Sequence, residues 1–326
     1  MDAAVSLKGV TKRFGSTMAV QHLDLLVPRG GLYGVIGPNG AGKTTSIRMI
    51  MSILFPDSGE LTVLGHKSAL EAKDRIGYLP EERGLYRKMR VGAFLTYIGR
   101  LKGVADADLS ARVPRSLERV GLAGTERKRC EELSKGMQQK VQFLAAIIHE
   151  PDLLILDEPF SGLDPVSTRQ LRELILAEHS RGATILFSTH VMLHAEEICD
   201  HVVMIHRGQK VLDQPVAAIR SQYDPRAVRF EPFEPGADVS PLRALAEVER
   251  IDRADRGYEI LLKEGTDPAS VIRRIAMAIA PARIELARPR LEDVFIRIVS
   301  GESGSVETES KLRADLREAG EGAVAV

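Results

Sequence analysis

Gly37-Pro38-Asn39-Gly40-Ala41-Gly42-Lys43-Thr44-Thr45 is the stretch from which the rest of this chain is read. It matches the pattern G-x-x-x-x-G-K-[ST], with a further glycine inside the loop at Gly40. An apolar run closing on Val35 and Ile36 precedes it, and a helical pattern over about residues 43–54 follows it. Strand, glycine loop and helix in that order form a phosphate cradle. Glycines let the backbone curl so that successive N–H groups point inward at a chain of phosphates. Lys43 is placed to reach the β and γ phosphates, and the Thr44 hydroxyl to ligate Mg2+. The following helix turns its positive N-terminal end on the same anion.

Composition bounds what surrounds this unit. At 326 residues the chain is long enough for two domains, each with its own core. Lysine plus arginine total 45 and aspartate plus glutamate total 45, so no net charge draws it toward nucleic acid or an anionic membrane. Cys130 and Cys199 lie far apart and fit no metal spacing, so a reduced, cytoplasmic setting is expected. The start, MDAAVSLKGVTKRFG, lacks the apolar centre of a signal peptide. No apolar run approaches the roughly 18–20 residues that cross a bilayer; Leu153-Leu154-Ile155-Leu156 is stopped by Asp157. The chain is therefore expected not to span a membrane itself.

Outward from the loop, Val5, Leu7 and Val10, then Leu23, Leu25 and Val27, recur at the period of half-buried strands, ending in a turn at 28–31. Between them stands Phe14, which reads equally as an ordinary surface ring or as a ring stacked on an adenine. Downstream, SGELTVLGH reads as strand and turn, and IGYLPEERGLY as a strand entering a charged loop. Residues 91–102 and 107–120 carry helical spacing, with Leu117 and Val120 on one face, and belong to a helical insert spanning about 90–150. Ser134 is placed to cap the apolar helix 141–148, which Pro151 terminates. The run 153–156 reads as a strand buried on both faces and finishes on Asp157-Glu158. Asp164-Pro165 opens another helix, closed by Gly182; 183–187 is a further buried strand ending at Ser188-Thr189-His190; 202–212 forms a hairpin about Arg207-Gly208. Asp213 and Gln214 after it read as surface residues. Strands alternating with helices predict a mostly parallel sheet, with Gly37, Asp157 and His190 converging at the carboxyl ends of its strands.

The pattern changes near Tyr223. Strands at 226–231, 247–255, 258–263 and 282–286 and helices at 241–246 and 268–280 give the order β-α-β-β-α-β of a small ferredoxin-like α+β domain, closed by a helix over 291–299. The expected division is an ATP-binding domain over 4–220, an accessory domain over 224–300 and a disordered tail over 301–326.

At the end of its buried strand, Asp157 is positioned to hold a Mg2+ water opposite Thr44, and Glu158, facing another side, to orient or deprotonate an attacking water. His190 is the candidate partner of the γ phosphate. With His194 it forms a pair four residues apart, but HVMLH lacks the glutamate of the zinc protease motif and a third ligand.

With these residues in place, the chain resembles the ATP-binding subunit of ABC transporters over about residues 4–215. Phe14 stands where that family has its adenine-stacking aromatic, GPNGAGKTT is similar to Walker A, YLPE to the Q-loop and LSKGMQQ to the signature. LLILDE is similar to Walker B, SGLD to the D-loop, and His190 to the switch histidine. The resemblance implies ATP and Mg2+ as ligands. Phe14, residues 37–45 (Gly37, Pro38, Asn39, Gly40, Ala41, Gly42, Lys43, Thr44, Thr45), Ser134, Gly136 and Asp164 would touch the nucleotide. Thr44, Glu81 and Asp157 would serve the metal, and Lys43, Glu158 and His190 the catalysis. The family's Q-loop glutamine is here Glu81, which keeps an oxygen ligand but adds negative charge, and Lys135 and Met137 replace a glycine and a glutamine of the signature.

The resemblance further implies a nucleotide sandwiched between the Walker A of one subunit and the signature of another. A chain with one of each is expected to work as a homodimer or as a heterodimer with a similar subunit, closing on ATP and opening after hydrolysis. PEERGLY and the ending LEDVFIRIVSG resemble bacterial subunits of the sodium-efflux and drug-exporter type. The expected function is an ATPase that powers translocation, in the direction of export, through a separate integral membrane permease. It would sit in the cytoplasm on the inner face of the membrane, with residues 81–90 against the permease and no nucleic-acid partner. A soluble ABC-type switch acting on ribosomes or DNA is the competing class; a single nucleotide domain, no long coiled-coil insertion and zero net charge argue against it. The accessory domain is open to a regulatory role, by binding a small effector or locking the dimer.

Overall fold

A computed structural model describes residues 2–82, 84–223, 226–254 and 256–300. The chain forms two compact units, one made of the chain up to Val216 and rejoined at Phe295, the other of Ala217–Val294. The residues expected to form a disordered tail lie outside the described ones.

The first unit holds two sheets. β1 (Ala3–Phe14) and β2 (Thr17–Pro28) form a long hairpin, and β4 (Ser58–Val63) adds to the other edge of β1 in antiparallel register. Alternation explains the pairing: Leu7, Val10, Leu23, Leu25 and Val27 are all buried, while Lys8, Asp24 and Leu26 between them are exposed. The second sheet combines β3 (Leu32–Ile36), β5 (Ile76–Leu79), β6 (Leu153–Asp157), β7 (Thr184–Thr189), β8 (His201–His206) and β9 (Gln209–Pro215) in the order β5-β6-β7-β3-β8-β9. Its neighbours are parallel except β8 with β9. β3, β6 and β7 are buried at every position, which is why their centres are apolar runs rather than alternating ones, with polar residues confined to strand ends at Asp157, Thr184, Ser188 and Thr189. The separate antiparallel sheet was not legible in the sequence, because a half-buried strand has the same alternation whichever sheet it joins.

Helices cover the parallel sheet: α1 (Lys43–Ile50), α2 (Val91–Leu101), α3 (Asp106–Arg119), α4 (Lys135–Ile147), α5 (Pro165–Ser180) and α6 (Met192–Ile198). α1 is shorter than the pattern to residue 54 predicts; Ser52 takes a left-handed conformation (φ 56°) and breaks the turn. α4 begins earlier than expected. Ser134 accepts a hydrogen bond from the Met137 N–H, so the signature stretch is itself the first turn of the helix. Asp164 caps α5 through the N–H groups of Val166 and Ser167, and Gly182 (φ 101°) follows its end. Asp213 and Gln214 are not plain surface residues. The Asp213 carboxylate accepts from His201 (2.7 Å) and Lys210 (2.6 Å), and Gln214 Oε1 is buried.

In the second unit, after α7 (Val216–Gln222) leads in, β10 (Ala227–Pro232), β11 (Val248–Ala254), β12 (Gly257–Leu262) and β13 (Pro281–Leu286) make an antiparallel sheet in the order β11-β12-β10-β13. With α9 (Pro268–Ala278) this is the ferredoxin-like arrangement. Its core joins Val228, Phe230, Ile260, Leu262, Val271 and Ile275. The helix expected at 241–246 is only one turn, α8 (Ser240–Arg243). The division between the units runs through the last helix, α10 (Leu291–Ser300). Among the described residues no helix is long and apolar enough to cross a membrane.

Candidate functional site

Sheet register assembles the site. β3 lies between β7 and β8, with Ile36 opposite Thr189, and β6 beside β7, with Asp157 opposite Ser188. The ends of β3, β6 and β7 therefore deliver the glycine loop, the two acids and His190 to one place.

The loop between β3 and α1 is held open by backbone geometry that needs glycine. Gly42 has φ 105°, and a Cβ there would lie 2.4 Å from the Ala19 carbonyl oxygen; a Cβ on Gly37 would lie 2.1 Å from that of Ile205. Gly208, in the β8–β9 turn, donates to the Ala41 carbonyl (2.9 Å) and accepts from the Gln21 N–H (2.8 Å), tying the loop to both sheets. Lys43 is buried, with its ammonium donating to the carbonyls of Gly37 (2.9 Å) and Pro38 (3.1 Å) and standing 3.5 Å from Glu158 Oε1. Burial lowers its pKa, and the negative charge of Glu158, Asp157 and Glu81 opposes that shift.

Asp157 is buried, and one oxygen accepts from Ser188 Oγ (2.6 Å) and Thr44 Oγ1 (3.2 Å). Burial raises this carboxyl, while those two hydroxyls hold it down. The Thr44 hydroxyl and the Asp157 carboxylate form a hard oxygen pair of the kind Mg2+ accepts alongside waters and phosphate oxygens. Glu158 turns the other way because its backbone is left-handed (φ 48°), a conformation costly for a residue with a Cβ and held here by its N–H donating to Ser188. Its Oε1 lies 3.0 Å from His190 Nδ1 as well as near Lys43. The His190 contact is close but out of hydrogen-bond alignment, so both buried ring nitrogens have no bonded partner among the described residues. Glu81, two residues after β5 and with much of its surface open, has its carboxyl raised by partial desolvation and by the charges of Asp157 and Glu158.

Lys43, Thr44, Asp157, Glu158 and His190 thus meet directly, with Glu81 close enough to feel their charges. Phe14 is 48% exposed at the end of β1, with Lys12 Nζ 5.6 Å from its ring centroid. Ser134 is engaged in capping α4, and Gly136 lies against the start of α5, where a Cβ on it would come 2.8 Å from Ser167 Oγ and 3.9 Å from Asp164 Oδ2. The Asp164 carboxylate is engaged in capping and in accepting from Ser167 Oγ (2.6 Å). Sequence reasoning missed Ser188, which bonds Asp157 and the Glu158 backbone at once, and Gln139, whose amide donates to the Pro159 carbonyl (3.0 Å). A hydroxyl residue at the very end of a buried apolar run was the available signal for Ser188.

A family model described as "ABC transporter" matches residues 20–161. An uncharacterized ABC transporter ATP-binding protein of Bacillus subtilis, YhaQ, is 36% identical over 295 residues, 90% of this chain and 98% of its own length. The chain belongs to the ATP-binding subunits of ABC transporters. As a member it binds ATP and is an ATPase whose hydrolysis is coupled to transport. The Nod factor export ATP-binding protein I of Cupriavidus metallidurans is 35% identical over 93% of this chain and 99% of its own length. A solved structure titled as the ATP-binding subunit of an ABC transporter superposes with a TM-score of 0.62 at 30% identity, covering 68% of this chain and 93% of that one. Residues 215–299 match a second family model, the C-terminal domain of DrrA1-3-like ATP-binding proteins.

Proposed function

We propose that this ABC subunit hydrolyses ATP with Mg2+ at the Lys43–Asp157–Glu158–His190 cluster and drives export through a separate membrane permease. It would do so as a pair of ATP-binding subunits, each completing the other's site with Ser134 and Gly136. The observation that carries the reading is the placement of Glu158 Oε1 3.5 Å from Lys43 Nζ and 3.0 Å from His190 Nδ1. Export is supported by the end-to-end similarity to the Nod factor export protein and by the DrrA-like C-terminal match.

Each side chain has a part that its surroundings allow. The loop N–H groups and Lys43 hold the β and γ phosphates, the ammonium exchanging its loop carbonyls for phosphate oxygens. The Thr44 hydroxyl and Asp157, directly or through water, would hold Mg2+, with Glu81 offering a third oxygen. Held by these oxygens, Mg2+ would supply charge neutralisation for the phosphates. Glu158 orients the attacking water and accepts its proton, and a His190 ring nitrogen donates to the γ phosphate. Phe14 offers a face for the adenine.

Glu158→Gln, expressed in the native host and recovered from gently solubilised membranes with Mg-ATP, tests the reading. Steady-state hydrolysis falls at least about 100-fold, and a polytopic membrane protein co-purifies in comparable amount. Unchanged hydrolysis would remove Glu158 from the chemistry. Recovery with ribosomes or DNA, or wholly in the soluble fraction, would replace the transporter by a soluble switch.

A further inference from the structure

The sequence sets a second histidine four residues after His190, and the function above leaves it unused. His194, in the first turn of α6, borders the same cavity as Glu158, Phe160 and His190, a space of about 420 Å3. Its ring packs on Phe160 with centroids 4.5 Å apart and planes 57° apart, and Phe160 meets Phe187 edge-on at 6.1 Å. Such a contact is directional as well as apolar, since tilted rings hold their mutual orientation.

Phe160 is two residues beyond Glu158, in the segment whose left-handed start sets the direction of the Glu158 side chain. That segment is held from one side by Ser188, on the Glu158 N–H, and from another by Gln139, on the Pro159 carbonyl. The Phe160–His194 contact joins it to α6, the helix that His190 leads into. Glu158 and His190 come from different strands, β6 and β7, and their 3.0 Å separation depends on what holds these two exits together.

We propose that His194 is a positioning residue of the ATPase site: its ring, packed on Phe160, keeps the Glu158–Pro159–Phe160 segment and the His190 end of α6 in the arrangement that brings Glu158 beside His190. The inference rests on the function proposed above. The charged groups facing His194 are Arg172 of α5, Glu158 and His190; burial, reinforced by Arg172, brings its pKa down to about 4. The ring is therefore neutral at neutral pH. Its buried Nδ1 has no hydrogen-bond partner among the described residues, and the ring's contact with Phe160 is one of packing.

Steady-state ATP hydrolysis, ATP binding and thermal melting are measured on the full chain for His194→Ala, His194→Phe, Phe160→Leu and the His194→Ala/Phe160→Leu double variant, with Glu158→Gln alongside. His194→Ala lowers kcat about tenfold while ATP affinity stays within about twofold, as expected of a misplaced catalytic group rather than a lost binding contact. His194→Phe, which keeps an aromatic ring, restores most of that kcat. Phe160→Leu reproduces the split, and the double variant loses no more than either single one. The proposal is overturned if folded His194→Ala keeps its kcat, if affinity falls in step with kcat, if His194→Phe is as impaired as His194→Ala, or if the two losses multiply. Should His194→Ala fail to fold, Phe160→Leu and His194→Phe decide between the same outcomes. Retained hydrolysis in Glu158→Gln would instead locate the failure in the assignment of Glu158.

Discussion

Lys43 shows how a buried charge is made tolerable. An isolated ammonium inside a protein is strongly disfavoured, and burial accordingly lowers its pKa, but two loop carbonyls and the Glu158 carboxylate surround it. In the function proposed above, phosphate oxygens would replace those carbonyls. Lys43→Ala should lower kcat/KM for ATP by about 100-fold or more, measured by phosphate release. Lys43→Arg should not restore it, because a forked guanidinium is larger than the slot occupied by an ammonium that is 5% exposed. Recovery of near-normal turnover in the arginine variant would mean that charge alone matters at this position.

At the scale of elements, the helix starts reveal how local sequence commits backbone. Ser134, Asp164 and Asp267 each accept N–H groups of the first turn of α4, α5 and α9, satisfying donors that would otherwise lie open. Asp267 serves α9 alone, through Ala269 and Ser270 at 3.1 Å each, far from the catalytic cluster in sequence. Asp267→Ala should cost about 1 kcal/mol, seen as a lower unfolding midpoint of the second unit with ATP hydrolysis intact, and Asp267→Asn much less. Equal stability of Asp267→Ala and the parent would show that the cap contributes nothing there.

For the whole molecule, two half-buried histidines, His149 and His194, tie stability to pH. Burial, with Lys102 nearby, takes His149 down to about 4, and His194 falls to a similar value. The unfolded chain binds protons on these rings near pH 6.5, the folded chain only near pH 4. Their contribution is therefore fully present above pH 6.5 and is lost as pH falls toward 4. After allowance for partial exposure the linkage is about 2 kcal/mol per histidine. Urea unfolding followed from pH 7.5 to 4.5 should show this decline, and His149→Gln should flatten it. A decline of the same slope in the variant would assign the acid sensitivity to other groups.

What the sequence by itself determined was whatever has a short-range physical cause. The glycine loop needs glycines where a Cβ would strike backbone, the middles of the central strands are apolar because both faces are covered, and the caps are written in single residues. Hence the parallel sheet, the ferredoxin-like strand order and the candidates Lys43, Thr44, Asp157, Glu158 and His190 could all be named from the chain alone. Helix ends were less legible, since α1 stops where Ser52 turns left-handed and α4 starts inside the signature. Only the tertiary structure decided the rest. It put β1, β2 and β4 in a sheet of their own, brought Ser188 onto Asp157, turned Glu158 between Lys43 and His190, and seated His194 on Phe160. These contacts join residues separated by many positions, and their partners are chosen by register and packing across strands, which no local pattern of residues encodes.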